Sequence, residues 1–199
     1  VVAPRYRTDE GPPRSLPWED IRRILRAVSR DRPVGLRDYA MLLVMATYGL
    51  GSGEVVRLEL GDVDWQAGIL RVRRRKTGGL LELPLLPAVA QALAAYLRRG
   101  RPSQTLDRTI FVSLALPHRP LTTAAIRHRI RKYARRAGIS TAKLGAHIFR
   151  HSHATRQIDA GAPLKIVGDI LGHLRPASTS VYVRVALRRL RMVALPVPR

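Results

Sequence analysis

A five-residue segment in the second half of the chain carries three basic side chains at helical spacing. Residues 147–151 read His-Ile-Phe-Arg-His. Positions i, i+3 and i+4 of a helix share one face, so His147, Arg150 and His151 would project together. A guanidinium can clamp a phosphate through two parallel hydrogen bonds, and an imidazole can exchange a proton near neutral pH. The motif therefore indicates a phosphate clamp beside an acid–base group.

A histidine pair four residues apart also suits zinc, but two features of this motif argue against a metal. The zinc-protease pattern has a glutamate directly after the first histidine, where this chain has Ile148. Arg150 would also place a cation between the two ligands. We therefore expect no metal here.

Two further signals follow this motif at a defined spacing. Residues 171–173 read Leu-Gly-His, and Tyr182 comes nine residues after His173. Together with His-x-x-Arg-His, this run resembles the signature of the tyrosine recombinase (phage integrase) family. Lys76 stands at a hairpin turn, where that family carries its catalytic lysine. The resemblance covers about residues 15–190 and includes upstream matches at Arg37-Asp38-Tyr39-Ala40, Tyr48-Gly49-Leu50, Glu54, Leu58 and Asp62-Val63-Asp64.

The resemblance implies that Tyr182 is the nucleophile. Its phenolate would attack the scissile phosphate of DNA, which gives a 3′-phosphotyrosyl bond and a free 5′-hydroxyl. A free tyrosine has a pKa near ~10, so its proton needs help to leave, and His147 is the candidate base or positioning group. No metal or nucleotide cofactor is implied, because the phosphotyrosyl bond stores the energy for religation.

The resemblance assigns the remaining roles to four basic residues and one acidic residue. Arg150 and His173 would hold the nonbridging oxygens and offset the charge of the transition state. Lys76 would protonate the leaving 5′-oxygen. His151 would support the site from behind, and Glu54 would orient neighbouring groups.

The chain departs from the family pattern at one position. The family pattern is Gly-Leu-Arg-x-x-Glu, whereas residues 49–54 read Gly-Leu-Gly-Ser-Gly-Glu, so Gly51 replaces the first catalytic arginine. On a helix, Arg57 would point elsewhere. Loss of one such donor corresponds to about 3–4 kcal/mol, roughly a hundred- to a thousandfold in cleavage rate. An Arg→Gly variant, a protein that acts beside an active partner subunit, or another arginine that reaches the site would each account for Gly51.

The composition favours a polyanionic partner. Among 199 residues, 36 are Lys or Arg and 14 are Asp or Glu, which gives a net charge of +22. All but four of the basic residues are arginine, which suits phosphodiesters, although an arginine-rich coding bias is the alternative. We expect double-stranded DNA as the partner. A membrane surface is disfavoured because the charges are spread over several elements.

The chain contains no cysteine, which excludes disulfides, thiolate zinc sites and cysteine nucleophiles. Its longest apolar run, residues 39–50, is shorter than the ~18–20 residues of a membrane span. We expect a cytoplasmic protein, and the resemblance implies a prokaryotic or phage origin.

Hydrophobic periodicity predicts an α+β domain that is mostly helical and has a small antiparallel hairpin sheet. This is the tyrosine recombinase catalytic-domain fold that the resemblance implies. Residues 69–85 alternate apolar and polar side chains around a Lys-Thr-Gly-Gly turn, which predicts the hairpin, and residues 110–112 would add a short strand. Helices are predicted from Pro17 and over 36–50, 87–99, 122–138, 147–160, 163–171 and 178–191.

The predicted helix over 122–138 is the most basic one. A threonine can cap its start and Gly138 its end, and Ile126, Ile130, Ala134 and Ala137 would form the buried stripe. Its cations lack interleaved acids, which favours a DNA-facing surface over an ordinary solvated face. These cations are Arg127, Arg129, Arg131, Lys132, Arg135 and Arg136.

We expect a linker or N-terminal arm over residues 1–15, the catalytic domain over 16–191 and a C-terminal tail over 192–199. The tail either frays or docks on a neighbouring protomer. The family's separate N-terminal core-binding domain is absent from this chain, which suggests a fragment. The resemblance implies a monomer in isolation and a homotetramer on paired DNA sites.

Three functions remain open from the sequence. The first is the catalytic domain of a site-specific DNA recombinase or integrase, a tyrosine-type DNA strand transferase. A type IB topoisomerase shares the chemistry but is disfavoured by the short chain and the spacing of its motifs. A noncatalytic DNA-binding accessory protein derived from a recombinase is the third, and Gly51 is its best support.

Overall fold

The computed structural model describes residues 15–74, 79–140, 144 and 147–171. Within these ranges the chain forms mostly helices, together with one three-stranded antiparallel sheet. The predicted α+β class is therefore confirmed. The elements are α1 (Trp18–Arg26), α2 (Pro33–Tyr48), α3 (Ser52–Val55), β1 (Val63–Asp64), β2 (Ile69–Arg73), β3 (Leu80–Pro84), α4 (Pro87–Arg99), α5 (Thr123–Arg136), α6 (Ile148–Asp159) and α7 (Leu164–Leu171).

Helix α2 is the centre of the domain. It is apolar almost all round and buried along most of its length, and α1, α3, α4 and α6 pack around it. Pro33 stands in its first turn, where the missing N–H costs no helical hydrogen bond. Gly49 ends it in the left-handed region, with φ of 63°. The helix begins three residues before the predicted start and ends two before the predicted end.

The sheet has the order β1-β2-β3, and both pairings are antiparallel. Leu70 of β2 lies opposite Leu83 of β3, and both side chains are buried. Beyond the last strand pair, the backbone N–H of Arg74 donates to the carbonyl of Gly79 at 2.9 Å. The predicted hairpin is therefore present, and β1 adds a strand that the sequence did not predict.

Helix α5 has the predicted threonine cap at its start and most of the predicted buried stripe. The Thr122 hydroxyl accepts from the Ala125 N–H at 3.1 Å. Ile126, Ile130 and Ala134 are buried, whereas Ala137 is only half-buried. Tyr133 joins the stripe.

The predicted strand over residues 110–112 is wrong. These residues are fully buried but form no strand; isolated bridges join Thr109 to Glu59 and Val112 to Pro120. Their apolar character therefore serves the core. The predicted helix over 178–191, the tail over 192–199 and residues 1–14 of the predicted arm lie outside the described residues.

A buried ion pair within α2 is hydrogen-bonded to α5. Asp38 accepts from the Arg37 Nε at 3.0 Å, from the Arg37 Nη2 at 2.7 Å and from the Tyr133 hydroxyl at 2.8 Å. The Arg37 Nη1 donates to the Val112 carbonyl at 3.1 Å. A charge taken out of water is tolerated only when it is paired and hydrogen-bonded, and this pair meets both conditions.

Candidate active site

The short helix α3 places the Glu54 carboxylate against the backbone of Gly51. The Gly51 N–H donates to Glu54 Oε2 at 2.7 Å, so the carboxylate satisfies a donor at the helix start. The backbone of Gly51 has φ of −74°, which any residue can adopt. A Cβ at position 51 would lie 2.9 Å from Arg150 Nη1. Glycine is therefore not demanded by the backbone here, and the Arg150 guanidinium lies where a side chain at position 51 would begin.

Arg150 projects from the first turn of α6 toward α3. Its Nη1 donates to Glu54 Oε2 at 2.9 Å, and its Nη2 donates to the Leu171 carbonyl at the end of α7. Both partners of this ion pair are 15% exposed. The guanidinium is thus held by residues far apart in the chain while it remains open to solvent.

Arg74 is a second arginine at this carboxylate, and the sequence analysis missed it. Its Nε lies 3.9 Å from Glu54 Oε1, and its side chain is only 9% exposed. Its Nη1 donates to the Asp169 carbonyl at 2.7 Å and its Nη2 to the Ile170 carbonyl. The signal was available: side chains alternate along a strand, so Arg74 follows buried Leu70 and Val72 on the inner face.

The pKa of Arg74 is lowered, and burial of its guanidinium is the main cause. The charge of Glu54 raises this pKa, and the charge of Arg150 lowers it. The charge of Asp169 also raises the pKa of Arg74, so two arginines and two carboxylates interact in this cluster.

Gly49 and His153 bring the end of α2 against α6. A Cβ at Gly49 would lie 2.8 Å from the His153 ring and 3.1 Å from Leu171, and its positive φ would add strain. The His153 Nδ1 lies 3.2 Å from the Ala46 carbonyl, which can only accept, so Nδ1 donates. Burial lowers the pKa of His153. This neutral histidine, another residue that the sequence analysis missed, packs α6 against α2.

Tyr48 fixes the hairpin to α2. Its hydroxyl donates to the Pro84 carbonyl at 2.7 Å and accepts from the Leu86 N–H at 3.1 Å. Burial raises its pKa, so the hydroxyl keeps its proton and remains a donor. The end of β3 is thereby held at the end of α2, close in sequence to Gly51.

The two histidines of the His-x-x-Arg-His motif are neighbours, as their spacing predicts. His147 is the N-terminal cap residue of α6 and is exposed, and His151 is half-buried. Their ring centroids are 6.1 Å apart. The structure therefore places both beside Arg150 in the first turns of one helix.

The basic residues of α5 surround an open depression of about 440 Å³. Arg127, Arg131, Arg135 and Arg136 are exposed. Arg129 differs from the others: it is 27% exposed, and its Nε lies 3.6 Å from the buried Asp38. Five of the six predicted cations thus line this depression, together with Ala124 and His128, and Arg129 belongs to the buried ion cluster.

Three predicted site residues, Lys76, His173 and Tyr182, lie outside the described residues. Arg57, the other arginine near Gly51 in sequence, is exposed. In the described ranges, no three His, Asp or Glu side chains come together as a set that could hold a metal ion. No helix in those ranges is both long and apolar enough to cross a membrane.

Comparisons with known proteins point to one family. The model of the Phage integrase family matches residues 14–189. A relative named putative integrase/recombinase y4gC, from Sinorhizobium fredii, is 42% identical over 188 residues, which cover 94% of this chain and 96% of that protein. The tyrosine recombinase XerD of Proteus mirabilis is 36% identical over 184 residues, or 91% of this chain and 58% of that protein.

Solved structures show the same relationship. The crystal structure of XerA recombinase superimposes with a TM-score of 0.77 at 28% identity and covers 99% of this chain and 68% of that one. A post-cleavage complex of XerH site-specific recombinase with its difH substrate has a TM-score of 0.79 at 20% identity, over 92% of this chain and 53% of that one, which shows the shared fold. Some relatives are about twice as long as the matched region, since the chain spans 45% of the Sinorhizobium fredii protein y4rA. Motif spacing, fold and sequence identity agree that the chain belongs to the phage integrase family of tyrosine recombinases.

Proposed function

We propose that this chain is the catalytic domain of a site-specific DNA recombinase that cleaves and rejoins double-stranded DNA through a 3′-phosphotyrosyl intermediate. The observation that carries the proposal is the Arg150 guanidinium, held by Glu54 and the end of α7 in a part-buried position. A fixed guanidinium in such a position suits a phosphate whose charge increases in the transition state.

In the proposed reaction, the Tyr182 oxygen attacks the scissile phosphorus, and the P–O5′ bond breaks. The phenolic proton passes to His147, and Lys76 supplies the proton that the leaving 5′-oxygen takes up. Arg150 and His173 hold the nonbridging oxygens, while His151 and Glu54 keep their neighbours in place. Religation reverses these steps with another 5′-hydroxyl, so the number of phosphodiester bonds is conserved and no cofactor is consumed.

DNA binding is proposed for the exposed face of α5. Five of its cations surround one depression, and the net charge of the chain is +22. Release of counterions from DNA would make this binding strongly salt-dependent. The relative XerH, solved on its difH substrate, supports DNA as the partner, and we propose a monomer in isolation and a homotetramer on paired sites.

Gly51 supports a second candidate, a DNA-binding accessory protein without cleavage activity. Without an arginine at this position, one phosphate ligand is missing, and a loss of roughly a hundred- to a thousandfold in cleavage rate is expected unless another group replaces it. Such a protein would still bind DNA through its many other arginines.

A covalent-capture experiment separates the two candidates. The 199-residue chain is incubated with a pool of nicked duplexes randomised over the target region, and protein–DNA adducts are detected on a denaturing gel and sequenced. A recombinase gives adducts that are enriched in one sequence and absent for Tyr182→Phe. If the native chain gives none and Gly51→Arg gives them, the accessory function holds for the native chain. If neither chain gives adducts, the proposed enzyme function is wrong.

A further inference from the structure

Glu54, which accepts from the Gly51 N–H, also lies near an arginine from a different element. Arg74 directly follows β2, and its Nε lies 3.9 Å from Glu54 Oε1. The Arg74 side chain is only 9% exposed. Arg150 approaches the same carboxylate from α6, at 2.9 Å. Two guanidinium groups therefore share Glu54, although position 51 supplies none.

Arg74 also joins three parts of the candidate site. Its backbone closes the hairpin just before the segment that contains Lys76, since its N–H donates to Gly79 at 2.9 Å. Its Nη1 and Nη2 donate to the carbonyls of Asp169 and Ile170. These carbonyls belong to the last turn of α7, where negative partial charge accumulates and a cation is favoured. His173 follows two residues after that helix ends.

One donor of Arg74 remains unused. Its Nε is buried and has no hydrogen-bond acceptor among the described residues. A buried donor without a partner is costly, and Glu54 Oε1, at 3.9 Å, is too far from this Nε for a hydrogen bond.

We propose that Arg74 is a positioning residue that compensates for the glycine at position 51. It supplies the second positive charge beside Glu54 and Arg150, and it holds the hairpin and the end of α7 together around the phosphate. This inference rests on the proposed function, because the phosphate is the scissile phosphate of DNA.

The test compares two neighbouring arginines. Arg73 is 67% exposed and pairs with Glu59 and Asp62, away from this cluster, so Arg73→Gln is the matched control for Arg74→Gln. We expect Arg74→Gln to reduce the rate of covalent adduct formation by about ten- to a hundredfold, because a small misplacement of reacting groups has effects of that size. Arg73→Gln should stay within about twofold of the native chain.

A rescue experiment distinguishes positioning from general folding support. The double variant Gly51→Arg/Arg74→Gln should regain at least tenfold in adduct formation over Arg74→Gln, because the new guanidinium would replace the lost cation near Glu54 once the flexible end of Arg150 shifts to make room. A folding defect would not be repaired from position 51. Arg74→Lys keeps the charge but cannot span both carbonyls, so we expect an intermediate rate, and this variant replaces Arg74→Gln if the latter does not fold.

A binding measurement keeps the inference testable if no cleavage is found. Inorganic phosphate is titrated while the Nε–H resonance of Arg150 is followed by NMR. Arg74→Gln should weaken this site-specific affinity at least fivefold, and Arg73→Gln should not. If Arg74→Gln, or Arg74→Lys in its place, matches the Arg73→Gln control in phosphate affinity, the inference is wrong, whether or not the chain cleaves DNA. Adducts formed at the native rate without Arg74 would also overturn it while leaving the proposed function intact.

Discussion

Two carboxylates in this domain each lie beside two arginines, but their surroundings differ. Asp38 is completely buried, and its first partner, Arg37, is 2% exposed. Glu54 and Arg150 are each 15% exposed. Asp38 accepts three hydrogen bonds from Arg37 and the Tyr133 hydroxyl, and Glu54 accepts from the Gly51 N–H and from Arg150. Each cluster also has one buried arginine Nε without an acceptor among the described residues, on Arg129 at Asp38 and on Arg74 at Glu54.

This difference separates structural support from a candidate binding site. The Asp38 pair is closed to solvent and its carboxylate is saturated, so its charge can only hold α2 and α5 together. The Glu54 cluster keeps contact with solvent, so an anion can reach it. The same residue types thus serve different purposes because the burial of their side chains differs.

The largest expected effect comes from breaking the buried pair. Asp38→Asn leaves Arg37 as an uncompensated buried charge, and we expect the free energy of unfolding to fall by about 3–5 kcal/mol. Glu54→Gln is the matched change in the open cluster, and we expect a smaller loss there because Glu54 and Arg150 each remain 15% exposed. Urea denaturation measures both, and equal losses would contradict the distinction between the clusters.

Arg150→Ala sharpens the comparison from the other side. Removal of a phosphate ligand should reduce adduct formation on a nicked duplex by about a hundred- to a thousandfold. DNA affinity, measured by fluorescence anisotropy, should change far less, because many arginines share that function. If affinity and cleavage fall by the same factor, Arg150 serves ground-state binding only.

Tyr133→Phe tests the closed cluster without removing a charge. It deletes the 2.8 Å hydrogen bond to Asp38, and we expect a loss of about 1.5–3 kcal/mol in unfolding free energy, typical of a hydrogen bond to a charged group. Cleavage by the folded variant should remain at the native rate. Impaired cleavage in the fully folded variant would show that the closed cluster also tunes the active site.

The smallest expected effect is a loss of stability at acidic pH that is due to His153. Burial holds its pKa below the ordinary value of 6.5, so the unfolded chain binds this proton at a higher pH than the folded protein does. Its contribution to stability is therefore fully present above about pH 6.5 and is lost as the pH falls toward the folded pKa. His153→Asn, which can still donate to the Ala46 carbonyl, should show a shallower loss of stability below pH 6.5 in urea titrations. An identical pH profile would contradict this assignment.

Much of this domain follows from local patterns. The cap at Thr122, the apolar run of α2 and the alternation in the hairpin each depend on residues within one element, so periodicity alone predicts the helices and the hairpin. The grouping of His147 with Arg150 and His151 also depends on helix geometry alone. The strand predicted over 110–112 was wrong because short apolar runs have no period that separates a strand from a buried segment.

By itself, then, the sequence determined the helical α+β class, the family and the chemical character of the His-x-x-Arg-His helix. Only the tertiary structure decided which arginine meets which carboxylate. Arg74 reaches Glu54 and the end of α7, and Arg129 turns to Asp38, through contacts between residues far apart in the chain. Such contacts depend on how helices and the hairpin pack, and no local pattern of residue types records that packing.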